Sequence, residues 1–173
     1  VYVASYAAST VSIFSRNLST GALTYVNKVT NGQGGVLGIA SALGVVVSPD
    51  GKNVYVASPS NSATSVFSRD ASTGLLTWIE SENTNTLASL SGVITLATSP
   101  DGKNVYSVTG SAPTGLVVFT RSSSDGSLTY AQNFKDGISD VPGITNALGQ
   151  GFSPTLSAIK NVCVSDDGSF LYI

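Results

Sequence analysis

Short alternating runs of apolar and polar residues recur along the chain, and turn signals separate them. The clearest copy covers residues 48–79 and contains SPDGKNVYVAS, SNSATSVFSRD and ASTGLLTWI. Its first run returns as SPDGKNVYSVT at 99–109, and its later runs return at 11–26 and 117–131. Alternation with a period of two residues predicts β-strands that bury one face. Because helical spacing is missing throughout, the pattern predicts an all-β protein.

The aromatic residues measure the length of the repeat. Tyr2, Tyr55 and Tyr106 hold the same place in the first run and lie about 50 residues apart, and Tyr172 follows after a longer interval. A period near 50 residues with four short strands per unit is typical of the blades of a β-propeller. We therefore predict that each blade is an antiparallel meander of strands a, b, c and d in chain order.

The best-defined blade sets the expected strand limits. Strands a to d are predicted at 44–48, 53–57, 65–68 and 75–80. The whole chain is predicted to be a single propeller segment, with blade repeats at 1–43 (partial), 44–93, 94–160 and 161–173 (partial). About three four-stranded blades are too few to close a ring of about 4 to 8 blades. We expect the segment to belong to a larger closed ring, with cover of its ends by another chain as the alternative.

The turns between strands differ in how much they vary. The a–b and c–d turns share one rim and repeat as SPDG or SDDG and as STG or SDG, whereas the b–c and d–a connections change in sequence and length. Variable loops on a constant scaffold usually carry binding. We predict that a ligand or partner meets the b–c/d–a rim, where the candidate residues are Asn61, Lys135, Asp136 and Asp140.

Composition limits the possible functions. The net charge is −2 and the eight Lys and Arg residues are scattered, so nucleic acid is not an expected partner. No apolar run reaches the roughly 18 residues of a membrane-spanning helix. The chain has no His, so neither a Ser–His–Asp triad nor a histidine acid–base group can be assembled, and we predict no catalytic residue and no cofactor. The single cysteine, Cys163, is predicted to be a buried small hydrophobe.

Several polar residues remain as candidates for specific roles. Asp136 and Asp140 could bind Ca²⁺ or a polar ligand, but their spacing matches no defined calcium loop, so no metal site is assigned. Glu80 and Glu82 share one face of strand d, where either a cation or plain solvation would suit them. Asn17 opens the sequon Asn-Leu-Ser and is a glycosylation candidate.

Two further sets of residues follow the repeat. Arg16, Arg69 and Arg121 each come shortly after a Phe of strand c, and a cation needed once per blade indicates a structural role, through aromatic stacking or bonds to turn carbonyls. Aromatic residues also recur in strand d, where blade packing and an aromatic track for glycans are both possible. These residues are Tyr25, Trp78 and Tyr130.

The text SPDGKNVYVAS followed by VFSRDASTGLLTWIE resembles the lactonase-like β-propeller family, with YVTN-type repeats related to bacterial 6-phosphogluconolactonase. The resemblance implies a seven-bladed ring, and members with known activity open or close lactones with His, Arg and Glu on the pore rim. This chain offers no His and its arginines are all periodic, so no catalytic residue carries over. Many relatives of this repeat resemble secreted or surface proteins without a demonstrated activity.

Together these observations lead us to interpret the chain as a non-catalytic extracellular or cell-surface module, structural or interacting. Its expected partners are proteins or further blades of the same chain, and glycans. Two alternatives stay open: a lactonase-type hydrolase or cycloisomerase whose catalytic residues lie outside these 173 residues, and a carbohydrate-binding propeller.

Overall fold

A computed structural model describes residues 1–111, 115–135 and 161–173 of the chain. The described residues form 13 β-strands and a short 3₁₀ helix at Ala88–Leu90. The strands are β1 (Tyr2–Ser5), β2 (Thr10–Arg16), β3 (Leu23–Thr30), β4 (Gly44–Val47), β5 (Asn53–Ser58), β6 (Ala63–Arg69), β7 (Leu76–Asn83), β8 (Val93–Thr98), β9 (Asn104–Thr109), β10 (Gly115–Arg121), β11 (Leu128–Lys135), β12 (Cys163–Val164) and β13 (Leu171–Tyr172).

The strands form four separate sheets, and each sheet is a meander in chain order. Sheet 1 contains β1 to β3, sheet 2 contains β4 to β7, sheet 3 contains β8 to β11, and sheet 4 contains β12 and β13. Every strand pair is antiparallel. This architecture confirms the prediction of an all-β propeller segment. The predicted blade limits stay a prediction, since residues 136–160 lie outside the described part of the chain.

A β-bulge recurs between strands c and d of the first three sheets. In sheet 2, Val66 pairs with Glu80 and Phe67 pairs with Trp78, so Ile79 is the extra residue. The register shifts at the same place in sheets 1 and 3. An extra residue bends a strand and breaks its period-2 pattern. Pairing continues past the bulge to Asn83, which is why strand d is longer than predicted.

The hydrophobic core lies between neighbouring sheets. Val54 and Phe67 of sheet 2 cluster with Val11 of sheet 1, and Phe119 of sheet 3 joins a second cluster with Tyr55 of sheet 2. All five side chains are 0% exposed. A third cluster joins sheets 3 and 4. Each pair of neighbouring sheets therefore buries apolar side chains between its two members, as in a propeller.

Strands a of sheets 2 and 3 lie side by side. A Cβ atom on Gly44 would lie 3.1 Å from both the Ile94 carbonyl oxygen and the Thr95 Cα atom. Such spacing is tighter than most Cβ contacts in proteins, so glycine favours this close approach of two backbones. By contrast, strand d of sheet 1, β3, is largely exposed. Because the a strands of neighbouring sheets meet while strand d is exposed, the a strands lie on the inner side of the row of sheets.

The prediction for Cys163 was wrong, because its side chain is exposed. Val162 is 5% exposed and packs in the cluster between sheets 3 and 4. Alternation along the strand then turns Cys163 to the opposite face of sheet 4. In the described part of the chain, no helix has both the length and the apolar character needed to cross a membrane.

Candidate functional site

The connections between strands form two rims with different properties. The turn rim consists of the a–b and c–d turns, at residues 17–22, 48–52, 70–75, 99–103, 122–127 and 165–170. The loop rim consists of the described b–c and d–a connections, at residues 6–9, 31–43, 59–62, 84–92 and 110–111. The most strongly charged cluster lies at the turn rim, and a cavity opens at the loop rim.

Arg121 links sheet 3 to sheet 2 at the turn rim. Its Nε atom donates to the Tyr55 hydroxyl at 2.8 Å, and its Nη1 atom donates to the Gly102 carbonyl at 3.1 Å. The Nη2 atom donates to both carboxylate oxygens of Asp50, at 3.0 and 2.8 Å, and to Asn53 Oδ1 at 2.7 Å. We call Asp50, Asn53 and Tyr55 the acceptor set of sheet 2, and the whole arrangement the arginine clamp.

Near pH 7 the Asp50 carboxyl and the Arg121 guanidinium of the clamp are both ionised, and the Tyr55 hydroxyl is neutral. Burial alone would raise the pKa of Asp50, but hydrogen bonds from Ser48, Arg121 and the Lys52 backbone outweigh it and lower this pKa to about 2. Burial raises the pKa of Tyr55 to about 12. Burial opposes the charge on Arg121, yet its bonds with Asp50 and Tyr55 prevail and raise its pKa. A general acid or base needs a pKa near the working pH, so this cluster is suited to structure rather than proton transfer.

The clamp recurs between sheets 1 and 2. Arg69 Nε donates to the Tyr2 hydroxyl at 2.8 Å, and Arg69 Nη1 donates to the Gly51 carbonyl at 3.1 Å. The Tyr2 hydroxyl in turn donates to the Gly74 carbonyl at 2.7 Å. Bonds to turn carbonyls are one of the two structural roles predicted from the periodic arginines. The tyrosine partners were missed, although the spacing D-x-x-N-x-Y recurs at 50–55 and 101–106.

A cavity of about 490 Å³ opens at the loop-rim ends of β4 and β8. Gly44, Gly92 and Gly110 form part of its wall, and the other lining residues include two with hydroxyl groups, Thr95 and Ser111. None of its eight lining residues is titratable. The cavity therefore offers hydroxyls and backbone groups that could hold a polar ring, but no proton donor or acceptor for acid–base chemistry.

Asn61, a predicted binding residue, holds the loop rim together. Its Oδ1 atom accepts a hydrogen bond from the Ala40 backbone N–H at 2.6 Å, and Ser58 donates to the Ala40 carbonyl. Ser65 donates to the Gly38 carbonyl at 2.9 Å. The d–a connection at 31–43 is thus fixed over the b–c loop of sheet 2. The Asn61 amide oxygen is engaged within the fold, and a role in partner binding stays a prediction.

The other predicted binding and metal residues are not brought together by the described structure. Lys135 ends strand β11, and Asp136 and Asp140 lie outside the described residues. Glu80 accepts from the Leu128 backbone N–H at 2.7 Å, whereas Glu82 accepts a hydrogen bond within its own sheet and loop. Across residues 1–111, 115–135 and 161–173, no three His, Cys, Asp or Glu side chains are grouped to hold a metal ion.

Asn17 has a clear local role in the c–d turn of sheet 1. Its Oδ1 atom accepts from the backbone N–H groups of Ser19 and Thr20, at 2.9 and 3.0 Å. Asp70 holds the same place in sheet 2 and accepts two equivalent bonds. This turn motif explains an Asn at position 17 without any glycan. Glycosylation of Asn17 stays a prediction.

The aromatic residues of strand d are only partly engaged in packing. Trp78 packs against the cluster between sheets 1 and 2, and its Nε1 atom donates to Ser81 Oγ at 3.3 Å. Tyr25 stacks edge-on with Phe14 at 5.8 Å between ring centroids, yet it is 55% exposed. Tyr130 is also exposed. Blade packing therefore accounts for Trp78, and a glycan track stays an untested alternative.

Comparisons with known proteins point to one family. The family model described as "Lactonase, 7-bladed beta-propeller" matches residues 1–134. No curated protein matches the chain. A candidate 6-phosphogluconolactonase from Bacteroides uniformis is 19% identical, with a TM-score of 0.73 over 98% of this chain and 42% of that one.

Two other solved structures share the fold. A candidate 6-phosphogluconolactonase from Bacteroides fragilis is 22% identical, with a TM-score of 0.61 over 78% of this chain and 35% of that one. The periplasmic gluconolactonase of Pseudomonas aeruginosa is 21% identical, with a TM-score of 0.60 over 73% of this chain and 34% of that one. The chain thus spans less than half the length of each of these structures.

These findings overturn the interpretation of the chain as a non-catalytic extracellular structural module, and they favour the lactonase alternative. That interpretation was wrong because it relied on the missing histidine. A site on the rim of a propeller pore collects side chains from several blades. The absence of histidine from these 173 residues therefore does not exclude a catalytic site formed with other blades. The resemblance seen in the repeat text is confirmed: the chain belongs to the family of lactonase-type seven-bladed β-propellers.

Proposed function

We propose that the protein hydrolyses lactones and that this chain forms part of the substrate-binding ring. The observation that carries the proposal is the match of the lactonase family model to residues 1–134. Two structures with the same fold are named a candidate 6-phosphogluconolactonase and a gluconolactonase, which suggests a sugar lactone as the substrate class.

The loop rim is the part of the described structure that suits this chemistry. Lactone hydrolysis requires an activated water and donors that stabilise the negative charge developing on the carbonyl oxygen. Arg69 and Arg121 are engaged in clamps at the opposite rim. The cavity at the loop rim has a volume within the range of small-molecule sites, roughly 300–1,000 Å³.

In this proposal the cavity binds and orients the sugar ring. Ser111 and Thr95 supply hydroxyl groups that can bond to the sugar hydroxyls, and the glycine backbone near them allows close approach. The general base must come from groups outside this lining, since none of its residues titrates.

The test is an assay of the full-length protein against glucono-δ-lactone and its 6-phosphate, with acid release measured by pH-stat. Ser111→Trp places a large ring in the cavity, so we expect kcat/KM to fall at least about tenfold. Ala71→Trp is the matched control, because Ala71 is exposed on the turn rim, and it should leave kcat/KM unchanged. Failure of the wild-type protein to hydrolyse either lactone, or equal activity of the two variants, would contradict the proposal.

We also propose that the protein works outside the cytoplasm. Its sequence is rich in Ser and Thr and poor in charge, with 10% charged residues, and one structure of the same fold is a periplasmic gluconolactonase. Fractionation of the cells that produce the protein should place it in the periplasm, on the surface or in the medium. Recovery in the cytosol alone would contradict this.

A further inference from the structure

Sheet 3 carries a second copy of the acceptor set that grips Arg121. Asp101, Asn104 and Tyr106 have the same spacing as the acceptor set of sheet 2 and lie in the same text, DGKNVY. We infer that these three side chains form a guanidinium-binding site, and that its occupant is the arginine at the end of strand c in a further blade of the same protein.

Two side chains of this second set, Asp101 and Asn104, are already held in the geometry of the first. Ser99 Oγ donates to Asp101 at 2.6 Å, the Lys103 backbone N–H donates to Asp101 at 3.1 Å, and Asn104 Nδ2 donates to the Phe119 carbonyl at 3.2 Å. The corresponding distances in the acceptor set of sheet 2 are 2.6, 3.1 and 3.3 Å. A site held in its binding geometry loses little conformational freedom when an arginine arrives.

The two acceptor sets differ in how deeply their side chains are buried. Asn53 and Tyr55 lie beneath Arg121 and are 2% and 0% exposed, whereas Asn104 and Tyr106 are only partly buried. None of the three arginines of the chain bonds to Asp101, Asn104 or Tyr106 in the part that the structure describes. The polar groups of the second set are therefore accessible to a cation.

The local charge of this set also favours a guanidinium. Lys103 Nζ lies 3.5 Å from Asp101, and the two side chains are 77% and 54% exposed, so this ion pair is weak. In the filled clamp one guanidinium nitrogen of Arg121 bonds to the Asp50 carboxylate while another reaches the Tyr55 hydroxyl, which the single nitrogen of a lysine ammonium cannot reproduce. Arginine would therefore displace Lys103 from Asp101.

Sheet 4 supplies the remaining wall of the site. A Cβ atom on Gly168 would lie 3.7 Å from Pro100 Cδ, and one on Gly102 would lie 3.8 Å from Pro49 Cδ. The a–b turn of sheet 4 is thus seated on sheet 3 as the turn of sheet 3 is seated on sheet 2. By this equivalence the Gly168 carbonyl takes the place of the Gly102 carbonyl, which accepts a bond from Arg121.

The direction of the two filled clamps identifies the occupant. In both, strand c of one sheet sends its arginine to the preceding sheet: Arg69 to sheet 1 and Arg121 to sheet 2. Sheet 4 is described as a pair of strands a and b, and strand c pairs with strand b in sheets 2 and 3. A strand ending in Phe-Ser-Arg or Phe-Thr-Arg, paired with β13, would carry its arginine to Tyr106.

The test compares three tyrosine-to-phenylalanine variants of the full-length protein, each of which removes one hydroxyl and keeps the ring. Tyr55→Phe reports a filled clamp, and Tyr6→Phe reports an exposed tyrosine, since Tyr6 is 56% exposed. We expect Tyr106→Phe to lower the thermal unfolding midpoint as much as Tyr55→Phe does, by about 2–4 °C, while Tyr6→Phe leaves it unchanged.

Two results would overturn the inference. If Tyr106→Phe matches Tyr6→Phe, no arginine occupies the site. If the destabilisation by Tyr106→Phe disappears when the protein is diluted, the arginine comes from a second copy and the occupant named here is wrong.

Discussion

Arg69 and Arg121 hold the same repeat position but differ in their surroundings. Arg121 is 8% exposed and bonds to a tyrosine hydroxyl, a glycine carbonyl, a carboxylate and an amide. Arg69 is half-buried and bonds to the Tyr2 hydroxyl and the Gly51 carbonyl.

Comparing the two arginines shows which bonds both clamps share and which bonds, to a carboxylate and an amide, only Arg121 makes. The tyrosine and glycine bonds, at 2.8 and 3.1 Å, are the same in both clamps. The carboxylate and amide come from the a–b turn and strand b of the preceding sheet, and the described residues of sheet 1 begin at strand b. Each blade therefore stabilises its neighbour through its turn rim, which leaves the loop rim available for binding.

The largest expected effect distinguishes the two arginines. Arg121→Ala removes charge-assisted bonds to two buried groups, Asn53 and Tyr55, and the partner of the partly exposed Asp50 carboxylate, so it should lower the free energy of unfolding by about 3–5 kcal/mol. In the 173-residue chain, Arg69→Ala should cost about 1 kcal/mol, because it removes two hydrogen bonds in a half-buried site. Urea unfolding measures both values.

Arg16→Ala is the control for this pair, since Arg16 is exposed on sheet 1. In the 173-residue chain it should change the free energy of unfolding by less than about 0.5 kcal/mol. Equal losses for Arg69→Ala and Arg121→Ala would show that the carboxylate and amide add nothing to the clamp.

The next effect concerns the glycines that bring the c–d turns close to the clamp. Gly126 has φ of 85°, and a Cβ atom there would lie 2.1 Å from Asn53 Cγ. Gly126→Ala should therefore cost about 3 kcal/mol, from backbone strain together with displacement of Asn53. Gly21→Ala, with φ of 76° and open space around it, should cost only about 1 kcal/mol in the same unfolding assay. Similar losses would mean that the turn can move away from Asn53.

A smaller effect depends on pH. The pKa of Asp50 is about 2 in the folded protein and 3.8 in its ordinary state, so its stabilising contribution is present above pH 4 and is lost as the pH falls towards 2. The Asp50 side chain is 36% exposed, so solvent screening reduces the expected contribution to about 1 kcal/mol. Asp50→Asn should be less stable than wild type by this amount at pH 7 and equally stable near pH 2, in acid-unfolding curves. A constant difference over that range would argue against the ion pair.

The smallest effect concerns the lysines of the two a–b turns. Lys103→Ala removes an exposed ion pair with Asp101, and Lys52→Ala removes no ion pair with Asp50, which is bonded to Arg121. Both variants should shift the free energy of unfolding by less than about 0.5 kcal/mol. A larger loss for Lys103→Ala, measured by urea unfolding, would mean that this lysine already fills the site on sheet 3.

Most of the fold could be predicted from the repeat, because alternation and turn residues act locally. Strand b was predicted at 53–57 and is found at Asn53–Ser58. Strand c was predicted at 65–68 and is found at Ala63–Arg69. The ends of strand d could not be predicted, because the bulge at Ile79 shifts the alternation by one residue.

The clamps and the cavity were harder to predict because their residues are distant in sequence. The repeat indicated a structural role for Arg121, but its bond to Asp50 joins residues 71 positions apart in different sheets. The cavity is formed by small residues such as Gly44, Thr95 and Ser111, which have no distinctive signal in a Ser- and Gly-rich chain. Only the packing of sheet 2 against sheet 3 brings them together.

The most direct measurement of the central claim is a double-mutant cycle between Asp50→Asn and Arg121→Ala. If an ion pair between neighbouring blades stabilises the propeller, the free energies of unfolding of the four proteins should give a coupling energy of at least about 1 kcal/mol. Additive losses, with a coupling energy below about 0.3 kcal/mol, would contradict the claim.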